Sequence, residues 1–177
     1  METPESILEF NTSIELSDNR IWGAHFHVPD LISKVFLDTG SKRVVVRIND
    51  ALEYQCALQS KGEGYYVITV NKKNRDKFGF KQGTPLKVKI WKDESTYGLP
   101  MPEGFAELLA QDEEGNRLFH GLTAGKQRNL LYYVGLAKTL DKQLERGLVM
   151  LEHLRKMNGK IDFKILNQDL KDMNRML

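Results

Sequence analysis

The chain has 177 residues, with 26 lysines and arginines against 24 aspartates and glutamates, 41% hydrophobic residues and one cysteine. The apolar content is enough for a packed core and excludes an intrinsically disordered chain, while the lone cysteine excludes a disulfide-stapled module. The net charge of +2 implies neither a nucleic-acid nor a membrane partner by itself, and the absence of a long apolar run predicts a cytoplasmic protein with no signal peptide and no membrane span.

Apolar residues alternate with period two in the first part of the chain, and this pattern predicts strands. We expect them at about 8–16, 20–28, 44–48, 52–58, 65–70 and 86–90. Two short helices are expected between the strands. One begins at Pro29 and ends at Gly40, and the other is a basic helix over Lys72–Phe78 that Asn71 caps.

The first part of the chain also contains an internal repeat. Residues 28–48 align with residues 70–90 without a gap, and Val28 falls on Val70, Phe36 on Phe78. Only a few positions are identical, but strand, short helix, glycine and strand coincide. We therefore predict two ββαβ repeats that close one small β-barrel, because closure removes exposed edge strands.

A different pattern begins near residue 98. The junction over 97–104 contains two prolines and two glycines, which favours a linker between a domain over 1–97 and a domain over 98–177. Apolar residues then recur at intervals of three and four, and we expect three helices, at about 103–110, 123–139 and 142–157. Residues 160–177 are expected to form a strand-like docking segment and a short helix. The sequence thus predicts an α+β protein, a β-barrel followed by a small all-α helical bundle.

Several motifs of the second domain share the pattern of one known family. They are a proline-led helix over 102–110, Phe119-His-Gly-Leu122, Arg128 with Tyr132-Tyr133, and Ala137-Lys138. This part of the chain resembles the helical domain of the YdeI/OmpD-associated, or bacteriocin-protection, family.

Residues 7–92 resemble the barrel domain of unknown function that often precedes that helical domain. The resemblance is carried by Trp22, Val28-Pro29, Ile48-Asn49, Val70-Asn71-Lys72 and Gly83. It implies a double-split, or swapped-hairpin, barrel. The family usually has Thr-Arg and further arginines after Ala-Lys, whereas this chain has Lys142-Gln143 there and keeps the basic character only at Arg146.

No catalytic, metal or cofactor motif is found in the sequence. His25 and His27 share one strand face, but no third ligand has suitable spacing, so we interpret them as half-exposed strand histidines. Cys56 is in phase with Tyr54 and Leu58 and is expected to be a core thiol. Neither a G-x-S-x-G elbow nor a phosphate-binding glycine loop is present. We therefore expect a protein that is not an enzyme and has no cofactor.

Two groups of residues are candidate binding sites. A basic face suited to polyanions combines helix and strand cations with one aromatic side chain, namely Arg47, Lys72, Lys73, Arg75, Lys77, Lys87, Lys89 and Trp91. A groove between the two domains could be lined by Arg128, Tyr132, Tyr133, Lys138 and Arg146. The tyrosines have an alternative interpretation, which helical spacing favours, in which one packs inward and the other is exposed.

Three functions remain open from the sequence. The first, which the resemblance favours, is an uncharacterised non-catalytic binding or stress-protection protein whose peptide, protein or small-molecule ligand lies in the barrel or between the domains. The second is a nucleic-acid-binding protein that uses the basic face. The third is an enzyme of unrecognised class, which would require polar groups to converge in a pocket.

Overall fold

The computed structural model describes residues 6–17, 23–62 and 64–176. The chain divides into two units, Met1–Glu94 and Ser95–Leu177. The first unit contains β1 (Leu8–Ser13), β2 (Glu15–Leu16), β3 (Ala24–Val28), α1 (Asp30–Asp38), β4 (Arg43–Ile48), β5 (Leu52–Ala57), β6 (Gln59–Ser60), β7 (Tyr66–Thr69), α2 (Lys72–Phe78) and β8 (Pro85–Lys92). The second contains α3 (Glu103–Gln111), α4 (Glu113–His120), α5 (Ala124–Gly135), α6 (Leu140–Lys156) and α7 (Phe163–Met176).

The strands of the first unit form two antiparallel sheets of four strands each. Their orders are β1-β8-β4-β5 and β2-β3-β7-β6. The order of elements in β1 to β4, including α1, occurs again in β5 to β8, including α2. The helix α2 has the predicted bounds, and the Asn71 side chain accepts a hydrogen bond from the backbone N–H of Asn74 at 2.8 Å.

The predicted closed barrel is not confirmed, since the strand ladders give two separate sheets. The chain passes from one sheet to the other at two single residues, Ile14 between β1 and β2 and Leu58 between β5 and β6. The N–H of Ile14 donates to the carbonyl of Thr84 at 2.9 Å, and that of Leu58 to the carbonyl of Lys42 at 2.8 Å. The backbone therefore stays hydrogen-bonded where it changes sheet.

Alternation along the strands places one apolar core between the sheets. In β4, for example, Val44, Val46 and Ile48 are buried while the intervening side chains are half-exposed. Residues of both sheets and of α1, including Phe26 and Phe36, form one buried cluster, and the half-buried Phe78 of α2 packs against it. These side chains occupy the interior of the first unit, which the first of the three functions names as one place for a ligand.

Over its described residues, the second unit has five helices, whereas the sequence predicts three and a final short helix in the tail. The helix α5 ends at Gly135, four residues before its expected end, and α4 and α7 were not foreseen as separate full helices. Residues 163–166 are helical, so the expected strand-like segment is wrong there. Asp162 begins α7 by accepting the N–H groups of Lys164 and Ile165, and these bonds lower the pKa of its carboxyl group.

Two glycines allow α3 and α6 to pack closely. A Cβ atom at Gly147 would lie 2.6 Å from Leu108 Cδ1 and 2.8 Å from Phe105 Cδ2. A Cβ atom at Gly104 would lie 2.8 Å from the Cβ of Gln143. The helices can approach this closely because both glycines lack a side chain. They belong to the part of the molecule whose core includes Phe119 and Leu151.

Candidate functional site

The lysines of β8 that belong to the predicted basic face are paired with carboxylates. Lys89 Nζ lies 2.6 Å from Asp50 Oδ1, and Lys87 Nζ lies 3.4 Å from Glu9 Oε2. The hydrogen bond from Lys89 lowers the pKa of the Asp50 carboxyl group. The antiparallel register places these groups side by side, so the positive charge on this sheet surface is largely neutralised.

The remaining strand members of that face are also engaged. Arg47 Nη2 lies 2.6 Å from Glu53 Oε2, and the guanidinium carbon lies 5.5 Å from the centre of the Trp91 ring. A half-buried Trp91 covered by an arginine is not an open platform for stacking a base. The strand half of the predicted basic face therefore forms a network of ion pairs.

The helix α2 carries the other half of the face. Lys72, Lys73 and Lys77 are exposed, and none of the carboxylates in the described part of the chain lies within 4.0 Å of their ammonium groups. Arg75 is half-buried and lies 4.0 Å from Asp76. The structure thus concentrates the uncompensated positive charge of the face on one short helix.

The two tyrosines of the second candidate site are both exposed, Tyr132 by 58% and Tyr133 by 41%. The expectation that one of them packs inward is wrong. The hydroxyl of Tyr133 donates to Asn167 Oδ1 at 3.3 Å, and Arg146 Nη1 donates to the backbone carbonyl of Tyr133 at 2.9 Å. Arg146 therefore connects α6 to α5.

The other two members of that site lie on or next to α5. Arg128 is half-buried within α5, and Lys138 is exposed in the turn before α6. Arg128 and the two tyrosines thus lie on α5, and Lys138 lies in the turn after it. Their participation in a groove between the two domains stays a prediction.

One of the two strand histidines differs from the expectation. His25 is buried, not half-exposed, and its Nε2 lies 3.0 Å from Lys61 Nζ and 3.4 Å from Glu15 Oε2. His27 is half-exposed as expected and stacks on Tyr65 at a centroid distance of 4.2 Å. The outer surface of this strand therefore carries a small polar cluster.

Cys56 packs against the core of the first unit, and burial raises the pKa of its thiol to about 12. A thiol with such a pKa holds almost no thiolate at neutral pH. This agrees with the expected core role and gives the cysteine little nucleophilic character.

A surface groove between α6 and α7 was not predicted. Its volume is about 630 Å³. Its apolar lining consists of Leu148, Val149 and Met173, and Leu148 is 54% exposed. Among the side chains that the structure describes, the charged lining comprises four carboxylates, an imidazole and two cations: Glu145, Glu152, Asp169, Asp172, His153, Arg155 and Lys156. The groove thus combines apolar surface with an acidic border.

His153 fixes the position of α7 against α6 at this groove. The imidazole is buried, its Nδ1 lies 3.1 Å from Asp169 Oδ2, and its Nε2 accepts the backbone N–H of Asp162 at 3.2 Å. The Nε2 atom thus accepts from the backbone at the start of α7, while the Nδ1 atom contacts the carboxylate of Asp169. Both ring nitrogens therefore serve the structure.

Arg155 lines the groove and is bonded to three carboxylates. It bonds to Asp112, to Glu114 Oε2 at 3.2 Å and to Glu152 Oε2 at 3.4 Å. The hydrogen bond to Asp112 raises the pKa of the guanidinium group. The pKa of Asp112 is lowered, first by the backbone N–H of Gly115 and then by Arg155. The positive charge of Arg155 is thus already compensated.

Comparison with known families agrees with the two-unit architecture. Residues 10–90 match the domain of unknown function DUF1905, and residues 99–156 match the family described as bacteriocin-protection, YdeI or OmpD-associated. The chain thus has the arrangement that the resemblance predicted, in which a segment that matches DUF1905 precedes a segment that matches the YdeI/OmpD-associated family. No curated protein matches the chain. Among the helices of the described residues, none is both long and apolar enough to cross a membrane.

Proposed function

We propose that the protein is a non-catalytic binding protein that holds a short basic, amphipathic peptide segment in the groove between α6 and α7. The observation that carries the proposal is the composition of this groove. An exposed leucine and two further apolar side chains form its floor, and among the described side chains of its border four carboxylates stand against two cations.

The charges select a basic ligand over an acidic one. Four carboxylates line the groove against Arg155 and Lys156. Arg155 is held by three carboxylates, and Lys156 Nζ lies 3.8 Å from Asp169 Oδ1. Lysines or arginines of a ligand would therefore meet negative potential, whereas acidic groups would be repelled.

The size and the floor of the groove favour a peptide. A volume of about 630 Å³ accommodates a few side chains and lies within the usual range of ligand sites. Apolar side chains of an amphipathic segment would cover Leu148, Val149 and Met173 and remove them from water. A polypeptide ligand also agrees with the description of the matched family, which refers to protection against bacteriocins.

The absence of catalysis is part of the proposal. The buried imidazole of His153 is the group of the groove best suited to proton transfer, but both of its nitrogens are bonded within the protein. A general base needs a free nitrogen within reach of the substrate. We therefore assign His153 to the support of the groove.

The proposal is tested by fluorescence anisotropy with a short labelled peptide of lysine and leucine. Replacing Leu148 with lysine places a positive charge on the floor, and we expect the affinity to fall at least about tenfold. Leu136→Lys is the matched control, because Leu136 is 53% exposed in the same unit but does not line the groove. Equal losses in both variants, or preferential binding of a glutamate–leucine peptide, would contradict the proposal.

We further infer that the two sheets of the first unit behave as one barrel. The support is that β1 continues into β2 through Ile14 and β5 into β6 through Leu58, both with backbone hydrogen bonds at the crossing. Hydrogen exchange on the full chain tests this inference. The amides of Ile14 and Leu58 should be protected as strongly as those at the centre of β4, and rapid exchange at either crossing would mean two independent sheets.

A further inference from the structure

The exposed lysines of α2 lack the carboxylate partners that the lysines of β8 have in the same unit. On β8, Lys87, Lys89 and Lys92 each lie within 3.4 Å of a carboxylate oxygen. In the part of the chain that the structure describes, Lys72 and Lys73 have no such partner within 4.0 Å. The same unit thus pairs its strand lysines and leaves the helix lysines to solvent.

The position of these lysines is unfavourable for the helix itself. Lys72 and Lys73 occupy the first turn of α2, and no acidic residue lies there. The first turn carries the positive end of the helix dipole, so cations there destabilise a helix whereas carboxylates stabilise it. An unfavourable charge without a local compensation is typical of a functional position.

Lys73 and Lys77 are four residues apart and therefore lie on the same side of α2. Asp76 is the one acidic residue between Lys72 and Phe78, and it lies 4.0 Å from Arg75. The outer side of the helix therefore presents several ammonium groups with little opposing charge. Such a surface attracts a ligand that carries negative charges in a row.

We infer that the outer side of α2 binds the phosphodiester backbone of a nucleic acid without reading its sequence. Lysine ammonium groups bind phosphates as point charges, and the recognition of bases would require an exposed aromatic or a bidentate side chain. Trp91, the aromatic side chain expected to stack on bases, is half-buried and in contact with Arg47. Three lysines make binding weak and sensitive to salt, in the range of non-specific contacts.

The test is polarisation of a labelled random-sequence oligonucleotide with the full chain, from about 50 to about 200 mM salt. For the wild type, the logarithm of the affinity should fall with the logarithm of salt with a slope between about −2 and −3, as expected for three phosphate contacts. Lys72→Gln/Lys73→Gln/Lys77→Gln should lower the affinity at low salt at least about tenfold and flatten the slope.

The matched control is Lys87→Gln/Lys89→Gln/Lys92→Gln, which also removes three positive charges but from lysines already paired with carboxylates. Its affinity should stay within about threefold of the wild type. Equal losses in the two variants would show that net charge alone is responsible and would overturn the inference. Absence of binding at low salt would overturn it as well, and tighter binding of polyglutamate than of the oligonucleotide would assign the surface to an acidic protein instead.

Discussion

The helices α1 and α2 occupy equivalent places in the two repeats but present opposite chemistry to solvent. When residues 28–48 are aligned with residues 70–90, Leu31 of α1 corresponds to Lys73 of α2, and Val35 corresponds to Lys77. Leu31 is 82% exposed and Val35 46%, and both lysines are exposed too. The outward positions of the repeat are therefore open to change, and each copy has acquired its own surface.

One inward position keeps its residue in both helices, whereas the buried Ser33 of α1 corresponds to the half-buried Arg75 of α2. Phe36 and Phe78 occupy the same place in the two helices. Phe36 is buried, while Phe78 is half-buried and stacks on Phe80 at a centroid distance of 5.8 Å. The comparison indicates that one core phenylalanine is common to both helices, while their outward residues give the two copies different surfaces.

The largest effect should come from an inward position of α1. Phe36→Ala removes a buried ring, and we expect it to lower the free energy of unfolding by about 3–5 kcal/mol. Urea denaturation of the full chain, followed by tryptophan fluorescence, measures this because both tryptophans belong to the first unit. Phe78→Ala is the matched variant and should cost less, since its ring keeps part of its exposure. A larger loss for Phe78→Ala would reverse the comparison.

The two helices also begin differently, and this difference predicts an effect of intermediate size on the free energy of unfolding. Asn71 caps α2 through its side chain, whereas Pro29 precedes α1 without a side-chain hydrogen bond. Asn71→Ala should therefore lower the free energy of unfolding by about 1 kcal/mol. Asn71→Asp keeps an acceptor for the N–H of Asn74, and its urea midpoint should remain close to that of the wild type. A similar loss in both variants would mean that the cap bond contributes little.

The sequence predicted α2 well because its signals are local. An asparagine cap precedes the helix, and a glycine in the left-handed conformation, Gly79, ends it. By contrast, α4 has no apolar side chain before Leu118, so no apolar periodicity marks the start of this helix. The start of α7 alternates as a strand would, through Ile161, Phe163 and Ile165. Its buried residues turned out to be Leu166 and Leu170, four apart.

The candidate sites were also predicted only as far as local signals allow. The sequence located the lysines of α2, but it could not show which cations of the basic face were neutralised. The pairing of Lys89 with Asp50 joins residues 39 positions apart and depends on the sheet register. The groove was missed because one of its walls is α7, which was not predicted as a full helix.

A smaller effect on stability, with a clear effect on binding, is expected when α2 receives the outward residues of α1. Lys73→Leu/Lys77→Val should change the free energy of unfolding by less than about 0.5 kcal/mol, because both positions face solvent. The oligonucleotide affinity at low salt should fall at least about fivefold, as two phosphate contacts are lost. Unchanged affinity would mean that the difference between the helices has no bearing on nucleic-acid binding.

The smallest effect should come from the reverse exchange. Leu31→Lys/Val35→Lys replaces two exposed apolar side chains. We expect the free energy of unfolding, measured by urea denaturation, to change by less than about 0.5 kcal/mol. Size-exclusion chromatography provides the control for association. A loss above about 1 kcal/mol would show that the apolar side of α1 contributes to the fold and is not a free surface.

The central claim is that the first-turn lysines of α2 are kept for binding at the expense of helix stability. The most direct measurement is the free energy of unfolding of Lys72→Glu/Lys73→Glu in urea. Because glutamates in the first turn interact favourably with the helix dipole, we expect stability equal to the wild type or higher by up to about 1 kcal/mol. A loss of more than about 1 kcal/mol would contradict the account, since it would show that these lysines hold the fold together.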